Sequence, residues 1–593
     1  MSSPDNSHEA QINPDDQWYL ALDIGAGVSA CLLNRNSQKV YPIYWKAKTI
    51  LSSDQENHSS DQVTFRLRCE VDWQETPNGL RQKLENFKPY LNIAIPYIRI
   101  TQDSASEVSQ VPIPLIKLSN NQTVFLGKFQ RALQLLLSTL TPVSQPSLKG
   151  LMLPKLYTCG SVGLDALALH EVLRGLAGVI VGFPSQATEA YRFNVETAIL
   201  GANLIPSSQQ IFWLEDAIAT LLGQLHSDGM ISMSFGSALV IDAGATTTEI
   251  AIVELPDRIE DLTHDHFICH SWAYGGDALD LDIICQLLLN SPTGKQLLLD
   301  QFSDQDLIWP KPGHPDLHRR YCLQQQLQSQ PLGVALLAAA KSLKVILSQQ
   351  QYYTLEIEDY HWKLDFIDFE RLVLVPFINQ LNTELNHVIV KAGRSSIGIN
   401  QALCMGGNGV WTGLNRWLRQ KLPNAVICQN DSQQSSIDPR SLWDQVQVAM
   451  GLATLPLYPQ VLDRSRHQYR DYFLLKELLN SFEEGQTLSI QQVIQVLESR
   501  GINTRSCKSR LQSILKDQLR LGLIPQEPEI VLIHPASRQT PDYQSLSQEK
   551  LFIEDGDQLY RLNLELADQV HQYLNQLFSG FPAYLEEPAI VSL

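Results

Sequence analysis

A carboxylate followed by a turn of small residues stands at the end of an apolar segment in the middle of the chain. Residues 238–241 are Ala-Leu-Val-Ile, Asp242 follows, and residues 243–247 carry only small or hydroxyl-bearing side chains. Such a turn lets backbone N–H groups approach an anion closely, and a neighbouring carboxylate can hold a hydrated Mg²⁺. The pattern predicts a phosphate-binding turn. A β-hairpin with a polar turn is the alternative.

The same arrangement occurs near the N-terminus. Residues 19–22 are Tyr-Leu-Ala-Leu, Asp23 follows, and a turn with Gly25, Ala26 and Gly27 comes next. A second strand is predicted after each turn. Two units of this kind, far apart in one chain, predict two similar halves that face one phosphate group.

The elements that must position these turns alternate along the chain. Apolar runs of four to eight residues predict buried strands, and apolar side chains at helical spacing predict helices, for example over residues 125–140, 334–349 and 369–392. A helix is also predicted over 186–200, with Ser185 as its N-cap. This alternation of strands and helices favours the α/β class.

Several motifs occur together in a known order. They are Asp23-Ile24-Gly25, residues 178–204, Leu214-Glu215-Asp216-Ala217, residues 242–249, Gly275-Gly276-Asp277, Met405-Gly406-Gly407 and residues 448–453. In these motifs the chain resembles the actin-like ATPases, and among them the 70-kilodalton heat-shock chaperones, over residues 17–456. The resemblance implies an actin-like two-lobed fold of duplicated ribonuclease-H-like subdomains, with ATP and Mg²⁺ between the lobes.

The resemblance also implies roles for individual residues. Asp23, Asp242 and Glu215 would surround the metal through its waters, and Glu215 and Asp242 would be the catalytic carboxylates. An ordinary acid at a helix start is the alternative for Glu215. The residues expected to contact the nucleotide are Gly25, Ala26, Gly27, Gly244, Ala245, Thr246, Thr247, Gly275, Gly276, Lys344, Ser348, Gly406 and Gly407.

The chain departs from the family's pattern at both ends of the expected nucleotide. Ala26 and Gly27 stand where the chaperones have threonines, so a hydroxyl near the phosphates is missing. Val345 and Val410 stand where the family has arginines that stack on adenine. Glu249 closes the second motif where an aspartate is usual. Hydrolysis, if present, is therefore expected to be slow, and ATP binding weak.

A lysine near the terminal phosphate is also expected from the resemblance. Lys128, in the sequence Leu126-Gly127-Lys128, is the nearest candidate. A surface lysine is the competing interpretation.

Beyond a boundary near residue 456, residues 457–593 predict a mainly helical module. Three helices are followed by strand-like runs at 530–534 and 551–561, which is the order of a winged helix. Its third helix carries Arg505, Lys508 and Arg510, residues that would face DNA in such a module. A solvated face on a protein-interaction module is favoured instead, because charge runs are usually solvated.

Composition narrows the classes further. The 593-residue chain is 44% hydrophobic with a net charge of −18, which disfavours general nucleic-acid and anionic-membrane binding. Nine scattered cysteines predict free thiols in a reducing compartment. Residues 1–16 are predicted to be a disordered tail without a signal peptide, and no membrane span is expected, so a cytoplasmic protein is predicted.

Besides DNA binding through the basic C-terminal helix, three functions remain open from the sequence. The first is a divergent chaperone-like ATP-binding protein, a slow ATPase or nucleotide-dependent switch that acts on a protein partner. The second is a degenerate actin-fold scaffold without catalysis. The third is a filament-forming actin-like protein.

Overall fold

The computed structural model describes residues 13, 15–48, 62–74, 82–93, 100–101, 109–110, 115–119, 122–141, 148, 150–227, 236–302, 307–406, 412–429, 439–517, 522–523, 527–539, 541–556 and 558–579. Most of the tail predicted over residues 1–16 lies outside these ranges. So do Gly407 and Val410 of the expected adenosine motif.

We call the described part of residues 15–227 the first lobe. It contains one main mixed sheet and three smaller sheets. Its strands are β1 (Trp18–Ile24), β2 (Gly27–Asn34), β3 (Lys39–Lys48), β4 (Gln62–Thr64), β5 (Leu67–Arg68), β6 (Glu70–Trp73), β7 (Gln82–Glu85), β8 (Ile100–Thr101), β9 (Ser109–Gln110), β10 (Leu115–Ser119), β11 (Gln122–Phe125), β12 (Leu151–Met152), β13 (Leu156–Ser161), β14 (Leu176–Phe183) and β15 (Ile211–Glu215). Its helices are α1 (Lys88–Leu91), α2 (Gly127–Leu137), α3 (Ala166–Arg174), α4 (Glu189–Gly201) and α5 (Asp216–Ser227).

We call the described part of residues 236–453 the second lobe. It contains one main mixed sheet and a separate two-stranded sheet within residues 352–365. Its strands are β16 (Gly236–Ala243), β17 (Thr248–Leu255), β18 (Phe267–Trp272), β19 (Tyr352–Ile357), β20 (Tyr360–Asp365), β21 (Ile399–Met405) and β22 (Val426–Gln429). Its helices are α6 (Gly276–Ile283), α7 (Pro292–Gln301), α8 (Leu317–Gln328), α9 (Pro331–Gln349), α10 (Phe366–Phe369), α11 (Val375–Lys391), α12 (Thr412–Lys421) and α13 (Pro439–Ala453).

The two main sheets repeat one topology. The first has the order β13-β3-β2-β1-β14-β15 and the second the order β18-β17-β16-β21-β22. In each, the first three strands along the chain are antiparallel, and the first strand is parallel to the last two. We call the elements between the third strand and these last two, from β3 to β14 and from β18 to β21, the insertion of each sheet. In each, a helix joins the last two strands and another helix follows them. The predicted α/β class is confirmed. The two sheets share an order of five strands, and the first sheet has β13 as an additional edge strand, with β4 and β5 paired alongside.

Two helices that follow these sheets, α5 and α13, pack against each other in the core between the sheets. Side chains of β1, β16 and both helices belong to one buried cluster. Glycines make the helix contact close, because a methyl group at Gly451 would lie 1.7 Å from the carbonyl oxygen of Ala219. One at Gly223 would lie 2.5 Å from the carbonyl oxygen of Gln447. The backbones therefore meet at a spacing that only small residues permit.

The C-terminal part adds α14 (Arg464–Gln468), α15 (Asp471–Leu479), β23 (Thr487–Ser489), α16 (Ile490–Ser499), α17 (Thr504–Leu515), α18 (Pro535–Arg538), α19 (Pro541–Gln548), β24 (Phe552–Glu554), β25 (Leu559–Leu562) and α20 (Leu564–Ser579). Its three-stranded sheet has the order β23-β25-β24. Three helices and a β-hairpin occur in the predicted order, but both strands of the hairpin, β24 and β25, come from the run at 551–561 that was predicted as one strand-like run. The run at 530–534 was predicted as a strand but forms a 3₁₀ turn, Glu529–Leu532, because it packs in a segment inserted before the hairpin.

That inserted segment, residues 527–537, touches both lobes. The backbone N–H of His534 donates to the carbonyl of Leu115, 2.8 Å away, and the N–H of Leu115 donates to Ser537 Oγ at 2.9 Å. On the second lobe, His318 Nδ1 lies 3.1 Å from Glu527 Oε2. The segment therefore joins β10 of the first lobe to α8 of the second.

One described helix, α9, is long and apolar enough to cross a bilayer by length and composition alone. Leu336, Leu343 and Leu347 of this helix are fully buried in the core of the second lobe. A core helix of a soluble protein passes the same test, so this helix is weak evidence for a membrane span. All nine cysteines are free thiols, as predicted.

Candidate functional site

Three aspartates converge where parallel strands of the two sheets end. Asp23 stands near the end of β1 and Asp242 near the end of β16, while Asp216 directly follows β15. Burial, together with the charges of Asp216 and Asp23, raises the pKa of Asp242 to about 7. We call these residues the aspartate cluster. Carboxyl ends of parallel strands are where open α/β sheets bind their ligands.

Lys88 is the cation within this cluster. Its Nζ lies 3.5 Å from Asp216 Oδ2, and both side chains are nearly inaccessible to solvent. Burial alone would lower the pKa of Lys88, but Asp216, Asp23 and Asp242 hold it above its usual value. Burial raises the pKa of Asp216 to about 6 against the opposing charge of Lys88. The lysine therefore stays charged and is the buried cation that partly neutralises the cluster; the half-exposed Arg66, 3.9 Å from Asp23, is a second cation beside it.

The lysine predicted for this position lies elsewhere. Lys128 Nζ is 3.5 Å from the centre of the Trp73 ring, in a cation–π contact on α2. Lys88 was missed because it lies in a four-residue helix, α1, within a stretch without apolar periodicity. The signal available in the sequence was Asn86-Phe87-Lys88-Pro89, in which a proline favours the first turn of a helix.

Glu215, predicted as the third carboxylate, belongs to a different group of side chains. Its Oε1 lies 3.3 Å from His264 Nε2. Burial alone would raise the pKa of Glu215, but the contact with His264 more than offsets this and lowers it. β15 ends at Glu215 and α5 begins at Asp216, and the two side chains have different partners, His264 for Glu215 and Lys88 for Asp216. The structure brings Asp216, rather than Glu215, together with Asp23 and Asp242.

Two glycines leave room for the aspartates. A methyl group at Gly182 would lie 2.5 Å from Asp216 Oδ1. Gly406, with φ of +85°, lies against Asp242 of its own lobe, and a methyl group at Gly406 would be 2.7 Å from Asp242 Oδ1. Gly406 of the expected adenosine motif therefore contacts the cluster itself.

Each predicted phosphate turn is closed by a backbone hydrogen bond, and the first turn is one residue shorter than the second. The N–H of Gly25 donates to the carbonyl of Gly27, and that of Gly244 to the carbonyl of Thr247, each over 3.0 Å. Ala26 is exposed, and Ala245, Thr246 and Thr247 are half-buried. Both turns therefore lie open to solvent at the carboxyl ends of their strands.

The Gly-Gly turn rests on the second phosphate turn. Gly276 N–H donates to the carbonyl of Gly244 at 3.0 Å, and Asp277 N–H to that of Ala245 at 2.8 Å. A methyl group at Gly275 would lie 2.6 Å from both of those carbonyl oxygens. The backbones of Gly275 and Gly276 thus pack directly against the carbonyl groups of the second phosphate turn.

Glu249 joins the lobes beside the cluster. Its carboxylate accepts hydrogen bonds from the backbone N–H groups of Ser185, at 2.7 Å, and Ala217, at 2.9 Å. Burial raises the pKa of Glu249 to about 8, and these donors oppose that shift. Ser185 is not the N-cap that was predicted for α4; Thr188 is, and its Oγ1 accepts from Tyr191 N–H at 3.2 Å.

The residues that were expected to contact adenosine are engaged within the protein or lack a stacking group. Lys344 Nζ lies 2.9 Å from Asp280 Oδ1 and donates to the carbonyl of Gly276 at 3.0 Å. Ser348 Oγ donates to the carbonyl of Val345 within the same helix. The side chain of Val345 is 56% exposed. Lys344 therefore supports the Gly-Gly turn, and Ser348 is engaged with its own helix.

A further hydrogen bond between the lobes, besides those that Glu249 accepts, joins Asn86 to Asp277. Asn86 Nδ2 donates to Asp277 Oδ2 over 2.5 Å. Asn86 stands two residues before Lys88, and Asp277 follows the Gly-Gly turn. The segment that carries the lysine of the cluster is therefore tied to the second lobe.

Among the described residues, no three His, Cys, Asp or Glu side chains stand close enough to ligate a metal ion directly. Asp23, Asp216 and Asp242 offer carboxylate oxygens, the donor type that hard cations such as Mg²⁺ take, often through water. No protein-family model matches this chain, and no curated protein sequence matches it.

Proposed function

We propose that this chain binds Mg·ATP between its two lobes as a divergent heat-shock-70-like protein. The observation that carries the proposal is the aspartate cluster, in which Lys88 Nζ lies 3.5 Å from Asp216 Oδ2 and the charges of Asp23 and Asp242 also act on Lys88. These carboxylates come from strand ends of two sheets with one topology. Repeated sheets with a nucleotide between them are what the resemblance to actin-like ATPases implies.

Each residue of the cluster has a role in this proposal. The aspartates hold the waters of Mg²⁺, which itself supplies positive charge to the phosphates. Asp216 orients a water in place of Glu215, which was expected to be a catalytic carboxylate. Lys88 neutralises phosphate charge. Thr246 and Thr247, together with the backbone donors of the two turns, bind phosphate oxygens.

Turnover is expected to be slow. Ala26 and Gly27 offer no hydroxyl at the first turn, and the chain lacks the stacking arginine at Val345. A slow ATPase is suited to switching between two lobe arrangements, which the C-terminal part would pass to a protein partner. We place this activity in the cytoplasm.

A non-catalytic scaffold is the second candidate. The observation that favours it is on the adenine side, where Lys344 is held by Asp280 and the carbonyl of Gly276. A filament-forming actin-like protein is the third, and sedimentation with nucleotide tests it.

Thermal unfolding with and without Mg·ATP tests the proposal. At ligand about 100 times its dissociation constant, binding adds roughly 2.7 kcal/mol of stability. The wild-type protein should show this shift, and Asp242→Ala should lose it. Absence of any shift at millimolar ATP in the folded wild-type protein would support the scaffold.

A further inference from the structure

An arginine lies over the first phosphate turn. Arg66 stands between β4 and β5, and its side chain is 46% exposed. A methyl group placed at Gly25 would lie 3.1 Å from Arg66 Nη2, and one at Gly27 would lie 2.8 Å from Arg66 Cγ. The Arg66 side chain therefore lies along the turn, with its methylene groups beside Gly27 and its guanidinium group beside Gly25.

The backbone beneath this side chain is held in place. Thr64 Oγ1 accepts from the N–H of Arg66 at 3.2 Å and donates to its carbonyl at 2.9 Å. The next residue, Leu67, is buried and pairs with Val28 of β2. The base of Arg66 is fixed beside the turn while its guanidinium group reaches solvent.

The charge of Arg66 acts on both strand-end aspartates. Its Nη2 is 3.9 Å from Asp23 Oδ2, which is beyond hydrogen-bond distance. It also opposes the rise in the pKa of Asp242 that burial causes. A half-exposed ion pair of this length contributes little to folding. Stability alone therefore does not account for a guanidinium group at the mouth of the turn.

We propose that Arg66 binds the terminal phosphate of a nucleoside triphosphate at the first turn and supplies the donors that Ala26 and Gly27 lack. The inference rests on the proposed function. A guanidinium group offers a planar fork of N–H donors that matches phosphate oxygens in pairs. Such a contact distinguishes a triphosphate from a diphosphate, because only the triphosphate carries the outermost group.

The test measures affinities for Mg·ATP and Mg·ADP by calorimetric titration of four proteins. These are the wild type, Arg66→Ala, Arg66→Lys and Arg131→Ala, which removes the same charge from an exposed position on α2. Arg66→Ala should bind ATP about tenfold more weakly, with ADP changed by less than about twofold. Arg66→Lys should fall between, because it keeps the charge and loses the fork. Arg131→Ala should match the wild type.

Equal losses for ATP and ADP in Arg66→Ala overturn the inference, as does unchanged or stronger ATP binding. These outcomes leave the proposed function standing, provided that the wild type binds ATP. A folded wild type that binds neither nucleotide overturns both. Circular dichroism of each variant establishes that the exposed substitution leaves the fold intact.

Discussion

Lys88 Nζ and Asp216 Oδ2 lie 3.5 Å apart in the buried centre of the molecule, although 128 positions separate them in the chain. Lys88 belongs to the first helix of the insertion, and Asp216 opens the helix after the last strand of the first sheet. Their pairing stabilises a group of three carboxylates that would otherwise repel one another. The same pairing places a cation where a phosphate is proposed to bind.

The first prediction concerns Lys88→Met. Removing one partner of a buried pair leaves uncompensated charge and typically costs about 3–5 kcal/mol. We expect a loss of that order in urea unfolding at pH 8, together with loss of Mg·ATP binding. Asp216→Asn in the same chain should restore most of the stability and none of the binding. Lys128→Met, which alters the cation–π contact with Trp73, should leave binding unchanged.

The pairing of Lys88 would be refuted as the source of this stability if Lys128→Met were the more damaging change. Equal unfolding free energies for Lys88→Met and the wild type would also refute it.

The second prediction is a pH dependence. The pKa of Asp242 is about 7 in the folded chain, above the ordinary value of 3.8. A carboxyl group with a raised pKa stabilises the fold below its unfolded pKa, and this contribution is lost as pH rises through its folded pKa. Asp242→Asn should therefore stabilise the nucleotide-free protein more at pH 8 than at pH 5, by about 2 kcal/mol after allowance for partial exposure.

Urea unfolding at the two pH values measures this difference. Asp257→Asn, a change at an exposed carboxylate outside the cluster, is the control and should show no comparable rise. A gain for Asp242→Asn that is larger at pH 5 contradicts the prediction.

The third prediction separates two basic residues of α17. Arg510 Nη1 donates to the carbonyl of Tyr469 at 2.7 Å and to Asp471 Oδ1 at 2.8 Å, so it is engaged within the fold. Arg510→Ala should cost about 2–4 kcal/mol of unfolding free energy. Lys508→Ala, on the exposed face, should stay within about 0.5 kcal/mol of wild type.

Thermal unfolding measures both changes. Arg510 was one of the residues through which DNA binding was considered, together with Arg505 and Lys508. We expect little duplex binding at physiological salt, and Arg505→Ala with Lys508→Ala should not change it. Strong, salt-dependent binding that this double variant abolishes contradicts the prediction.

The fourth prediction concerns the segment of residues 527–537. Ile533 is 1% exposed and bridges to Ile116 of β10. Ile533→Asp places a charge in that contact and should release the segment, so hydrogen exchange should accelerate at residues 115–119 and 527–537. Ala536→Asp, at an exposed position of the same segment, is the control. Exchange at wild-type rates in Ile533→Asp would show that this contact does not hold the segment.

Part of this architecture follows from local sequence. β1 and β16 were predicted because apolar runs end at an aspartate and a small-residue turn, and α9 because residues 334–349 form an alanine-rich apolar run. Such signals lie within one element and need no knowledge of its neighbours. Asp23 and Asp242 were identified for the same reason.

The residues that were missed depend on contacts between distant segments. Glu215 and Asp216 are adjacent, and which of them faces the cluster depends on whether the strand ends at residue 214 or 215. A shift of one residue exchanges the faces of a strand, and boundaries are the least certain part of a sequence-based prediction. Lys88 acquires its meaning from a partner 128 residues away, which no local pattern reveals.

The most direct test is calorimetric titration of Mg·ATP into the wild type, Asp216→Asn and Glu215→Gln. We predict that the wild type binds, that Asp216→Asn loses at least about tenfold in affinity, and that Glu215→Gln binds as the wild type does. A folded wild type that does not bind, or a loss confined to Glu215→Gln, contradicts an ATP site built around Lys88 and Asp216.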